Sequence, residues 1–84
     1  VMVKKQKLLK KILNNTRDVS FNDMVKIVES FGFELGRVSG SHHIFSHTEL
    51  SEIVNLQNVG GKAKSYQVKQ FIALIEKYNL QMED

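Results

Sequence analysis

The hydrophobic pattern changes period twice along the chain. From about Val3 to Leu13, the apolar residues Leu8, Leu9, Ile12 and Leu13 recur at i, i+4 spacing with lysines opposite, which predicts a helix with one apolar stripe. Asn14-Asn15-Thr16-Arg17-Asp18 are poor helix formers with turn habits and end it. A second helix starts at Ser20 as N-cap, with Asp23 at the capping-box position and Val19 and Met24 at the spacing of a hydrophobic staple. Its predicted buried stripe is Phe21, Met24, Val25, Val28 and Phe31, and Gly32 follows as the left-handed residue past its end.

The period then drops to two. Phe33, Leu35 and Arg37 alternate with Glu34, Gly36 and Val38, which predicts a half-buried strand. After the Ser39-Gly40 turn a second strand runs from Ser41 to Ser46, forming a hairpin. His47-Thr48-Glu49 turns the chain into a third strand over Leu50 to Gln57. Gly60-Gly61-Lys62-Ala63-Lys64 reads as a flexible basic loop leading to Ser65 as N-cap of a last helix. Val68, Phe71, Ile72, Ile75 and Tyr78 stripe that helix to near Asn79, and Tyr66, Phe71 and Tyr78 are read as core or partly core rather than as base-stacking platforms.

The predicted fold is α+β: a three-stranded antiparallel sheet with its helices on one face, which keeps connections short and buries every stripe. Set aside the first helix and the order is αβββα, that of the double-stranded-RNA-binding domain (dsRBD). The expected organisation is a single domain over 1–84, with an extra basic N-terminal helix over 3–15 and a dsRBD-like core over 19–80.

Composition narrows the function classes. With 84 residues, 42% apolar types, 25% charged types and no proline, the chain suits one small folded domain rather than a disordered or collagen-like one. The absence of cysteine excludes disulfides, thiolate clusters and a thiol nucleophile, and fits a reducing cytosol. Apolar runs such as Ile72 to Ile75 fall far short of the roughly 20 residues that span a bilayer. Lys10, Lys11, Asn14 and Asn15 interrupt the one stretch resembling a signal-peptide core, so a cytoplasmic location without membrane contact is expected.

The net charge of +3 conceals an asymmetry. Lys4, Lys5, Lys7, Lys10, Lys11 and Arg17 meet no acid within the first 17 residues, whereas the rest holds six basic and nine acidic side chains. Such a basic element suits an anionic partner, nucleic acid or acidic protein; a solvated lysine face serving solubility is the other reading.

His42, His43 and His47 are the residues most apt for chemistry. His43 and His47 have the i, i+4 spacing of a helical metal pair, but in an extended strand four residues span roughly 13 Å, too far for one ion. No metal site is expected. His42 and His43 project to opposite faces, so at most one serves a given site and the other is structural or idle. His42 stands two residues after Gly40 at the mouth of a hairpin, where backbone and substrate phosphate can approach closely. A histidine side chain titrates near neutrality and so suits metal-free proton transfer at a ribose 2′-hydroxyl. Ser41 faces away from His42 and lacks an acidic third member, which makes it a hydrogen-bonder rather than a nucleophile.

Gly60-Gly61-Lys62-Ala63-Lys64-Ser65 outlines an anion site from free backbone, two charges and a helix start; an ordinary capped loop is the alternative. It lacks the Gly, four residues, Gly-Lys-Ser/Thr pattern, which excludes nucleoside triphosphate hydrolysis.

Gly32-Phe33-Glu34 followed by Gly40-Ser41-His42-His43-Ile44-Phe45 resembles the Gly-Phe…Gly-Ser-His-x-x-Phe/Tyr pattern of HicA toxins. Asn55-Leu56-Gln57, Gly60-Gly61-Lys62-Ala63-Lys64 and Tyr66-Gln67-Val68-Lys69-Gln70 are similar to the closing segment of one branch of that family, which also carries an extra lysine-leucine helix. Ser65 stands where that branch often has proline.

The resemblance implies a toxin that cleaves mRNA as an endoribonuclease, has a dsRBD-like fold, needs no cofactor and is blocked by a HicB-type antitoxin. It places the catalytic histidine at His42 and motif roles in RNA binding at Gly40 and Ser41. Lys62 and Lys64 are matched more loosely to the phosphate-gripping loop of dsRBDs. His47, Tyr66 and a substrate-held water are the candidates for the second proton-transfer group. The alternatives are a non-catalytic RNA-binding module and a protein-interaction domain whose basic first helix contacts an acidic antitoxin.

Overall fold

The computed structural model of the protein describes residues 4–83, so the expected helix start at Val3 lies outside them. Among the described residues are α1 (Lys4–Asn14), α2 (Phe21–Ser30), β1 (Phe33–Ser39), β2 (His42–His47), β3 (Ile53–Val59), β4 (Lys62–Ala63) and α3 (Ser65–Tyr78). The strands form one antiparallel sheet in the order β1-β2-β3-β4. The fold is α+β, the dsRBD-like αβββα frame with an extra N-terminal helix and a short fourth strand beyond the three predicted.

Ser20 caps α2 as its sequence predicts: extended at φ −66°, its Oγ accepts from the Asp23 N–H at 3.1 Å. Phe21, Met24, Ile27 and Val28 are buried along α2, whereas Val25 is only half-buried. The stripe thus turns toward Ile27 because α2 lies over the sheet rather than against one neighbour. The chain leaves α2 through Gly32 at φ +91°, a left-handed geometry that glycine takes without steric cost.

α2 and α3 cover the same sheet face. Phe33 of β1 meets Phe71 of α3 edge-on at 5.7 Å between ring centres, and Phe71 in turn meets Phe31 at 5.7 Å. Phe45, Val54 and Leu56 complete the sheet's contribution to this core. α1 packs on α2 and sends Ile12 into the core, with Leu8 and Leu9 partly buried beside it.

Three departures have physical causes. Gly60 and Gly61 form a tight two-residue hairpin loop in place of a flexible one; both have positive φ (+60° and +85°), as the preferred hairpin turn requires. The returning residues make β4, which Ala63 N–H to Val19 O (2.9 Å) and Phe21 N–H to Gly61 O (2.9 Å) tie to the entrance of α2. Because Lys64 is still extended, it is the N-cap of α3, and Ser65 is the first helical residue rather than the cap. Finally, β1 carries a bulge: Leu35 pairs with Phe45 but Arg37 pairs with Ile44, leaving one extra residue at Gly36.

Candidate active site

Which face each histidine occupies follows from contacts. His43 stands edge-on to Phe21 of α2 at 4.7 Å, and His47 edge-on to Phe33 at 5.0 Å, so both lie on the helix-covered face. Nδ1–H of His43 donates to the Ser41 carbonyl at 3.2 Å, and Nδ1 of His47 accepts from the Glu49 N–H at 3.0 Å. Both rings are thus held by an aromatic neighbour and a backbone hydrogen bond. By alternation His42 projects to the opposite face, which no helix covers among the described residues, together with Ile44 and Ser46 of β2 and Asn55 and Gln57 of β3.

His42 is half-buried there and begins β2 directly after the Gly40-Ser41 loop. Its Nδ1 lies 3.2 Å from Oδ1 of Asn55. A carbonyl oxygen only accepts, so Nδ1 is the donor in this contact, and in the neutral imidazole Nε2 is the nitrogen that keeps its lone pair. From sequence, Asn55 belongs to a segment similar to the family's but carries no site role. The alternation of Val54 and Leu56 with Asn55 and Gln57 fixes its face, but its position beside His42 depends on the β2–β3 register.

Gln57, directly across from His42, links the site to α3. Its backbone N–H donates to Gln67 Oε1 at 2.7 Å, and its Oε1 accepts from Gln67 Nε2 at 3.1 Å and from the Tyr66 hydroxyl at 3.3 Å. β4 pairs with only the end of β3, and the buried Gln67 satisfies the β3 edge beyond it. Tyr66 is therefore 53% exposed and turned toward Gln57 rather than into the core, and Tyr78 is likewise exposed. The Lys64 ammonium lies 5.8 Å from the Tyr66 ring centre.

The remaining residues singled out from sequence do not all converge on His42. Gly40 (φ +60°) and exposed Ser41 form the adjoining hairpin loop, and the Ser41 carbonyl also accepts from the Asn58 N–H at 3.1 Å. Lys62 is turned to the other side, where it pairs with Asp18. That hydrogen bond, the charge of Lys62 and, less, that of Lys11 hold the Asp18 carboxyl below its ordinary value of 3.8. The pair belongs to an open cleft of about 670 Å³ between α1 and the start of α2, lined by Lys7, Lys10 and Lys11 among others. His47 is separated from His42 by both strand length and sheet face. Among the described residues no helix is long and apolar enough to cross a membrane.

A family model described as the HicA toxin of bacterial toxin-antitoxin systems matches residues 21–78. The chain belongs to the HicA toxin family. The HicA match begins at the first residue of α2 and ends at the last of α3, so it takes in the whole αβββα frame and stops short of α1. Gly40-Ser41-His42, Asn55 and Tyr66 all lie inside the HicA-matched span. No curated protein and no solved structure matches the chain.

Proposed function

We propose that this HicA-family chain is a metal-independent endoribonuclease acting on mRNA in the cytoplasm, with His42 as general acid–base. The observation that supports it best is the contact of His42 Nδ1 with Asn55 on the uncovered sheet face, which leaves Nε2 as the basic nitrogen of the neutral ring. In the reaction, Nε2 takes the proton of a ribose 2′-hydroxyl as that oxygen attacks the adjacent phosphorus. The bond to the 5′-oxygen breaks, and that oxygen takes a proton as it leaves. The products are a 2′,3′-cyclic phosphate and a 5′-hydroxyl.

Of the candidate proton donors, Tyr66 suits the second role best, because its hydroxyl reaches the residue directly across from His42. Gly40 and Ser41 present hairpin backbone to the phosphate, and Lys64 adds charge at the Tyr66 side. Lys62 joins RNA only by releasing Asp18. A HicB-type antitoxin inhibits by covering the His42 face.

The test is cleavage of RNA in excess chelator by the natural chain and by His42→Ala. Scission by the natural chain alone supports the proposal; equal scission by both refutes the role of His42. Steep salt-dependent binding without scission on long incubation makes the chain a non-catalytic RNA-binding module instead.

A further inference from the structure

The uncovered face needs a cation to hold the phosphate that His42 is proposed to act beside, and the bulge in β1 supplies one. Alternation from Phe33 through Leu35 carries Arg37 to the helix-covered face, and without interruption Arg37 would stand across from His43. The extra residue at Gly36 moves it one position, so that Arg37 pairs with Ile44 and shares the face of His42. Ser39, two residues on, pairs directly with His42. Arg37 and His42 are thus diagonal neighbours across the β1–β2 ladder, a separation of about 7–8 Å that a long side chain spans.

Arg37 is exposed and pairs with no carboxylate among the described residues. The acid on the same face of β1 is Glu34, opposite Ser46 and about 10 Å along the strand from Arg37. Nothing in the core uses the guanidinium. Resting on the nuclease reading above, we propose that Arg37 is a phosphate-binding residue of the RNA site, aimed there by the Gly36 bulge. A guanidinium offers a planar, bidentate donor pair to a phosphate while the imidazole meets the neighbouring 2′-hydroxyl.

A charge on an edge strand also discourages edge-to-edge association, so the test must separate charge from direction. The experiment measures binding of a short single-stranded RNA, at several salt concentrations, to the His42→Ala protein as a non-cleaving parent. Adding Arg37→Gln weakens binding several-fold, about equally across RNA sequences, and lowers the salt slope by about 0.7. Adding Ser39→Arg to that variant restores binding, because position 39 faces the same side. Adding Val38→Arg instead does not, although it returns a charge to the same strand, because position 38 pairs with His43 on the other face.

Unchanged affinity and slope on Arg37→Gln, or equal rescue by both arginines, overturns the assignment of Arg37. Cleavage by the natural chain is measured in parallel. If RNA binding depends on Arg37 but no scission occurs, the nuclease reading fails while the Arg37 site stands.

Discussion

Nδ1 of His42 and Oδ1 of Asn55 lie 3.2 Å apart across the β2–β3 ladder, and this contact selects Nε2 as the acceptor nitrogen of the neutral imidazole. Asn55→Ala is expected to lower kcat with little change in KM, because the base loses its orientation while the RNA-binding surface remains. The loss should stay below the roughly 10²- to 10⁴-fold that general acid–base catalysis supplies. Asn55→Asp, which keeps an acceptor in place, should retain more activity than Asn55→Ala. Steady-state cleavage of a defined oligonucleotide separates kcat from KM.

Tyr66→Phe removes the hydroxyl but leaves the ring beneath Lys64. If that hydroxyl protonates the leaving oxygen, cleavage slows while RNA affinity measured in the His42→Ala background is unchanged. Loss of affinity without loss of turnover would assign Tyr66 to binding instead.

Gln67 is buried and satisfies both the backbone N–H and the side chain of Gln57. Gln67→Leu leaves that N–H without its partner and should cost about 1–3 kcal/mol. Urea unfolding measures it. The loss of stability should come with weakened activity, since Gln57 stands across from His42.

Much of the fold was legible because its signals are local. The cap at Ser20, the turn at Asn14–Asp18 and the left-handed exit at Gly32 each depend on a few neighbouring residues. The bulge at Gly36 was not, since register is settled by β2, and β4 is two residues long with no alternation to show. Tyr66 is exposed rather than on the core side of α3 because the open edge of β3 draws its neighbour Gln67 inward. For the site, the loop of His42 and its opposition to His43 follow from sequence, whereas which of the two faces the helices cover comes from the contacts of His43 and His47. Asn55 and Tyr66 reach it only through strand pairing and helix docking, and Lys62 is diverted by Asp18, 44 residues away.

Gly32 sits at φ +91°, and a Cβ there would lie 2.9 Å from His47 Nε2 and collide with the Glu83 carboxylate. Gly32→Ala should destabilise by about 1–3 kcal/mol. For a domain of this size each kcal/mol lowers the melting temperature by about 4–8 °C. Thermal unfolding followed by circular dichroism gives the value.

Two surface pairs contribute to the pH response. Lys62 lowers the Asp18 carboxyl below 3.8, and the hydrogen bond from Tyr78, with help from Lys77, lowers Glu52 below 4.5. A carboxyl whose folded pKa is lowered stabilises above its unfolded value and loses that contribution as pH falls through the folded one. Stability should therefore decline on acidification from about pH 4.5, and Asp18→Asn with Glu52→Gln should flatten the decline. Lys77 has the opposite sign. Tyr78 foremost, then Glu52, raise it above 10.5, so its contribution is present below that pH and lost as pH rises through the raised value.

The mass of the RNA ends produced by purified protein in excess chelator tests the central claim most directly. The account predicts 2′,3′-cyclic phosphate and 5′-hydroxyl ends from the natural chain and none from His42→Ala. Ends bearing 3′-hydroxyl and 5′-phosphate, or the same products from both proteins, would contradict it.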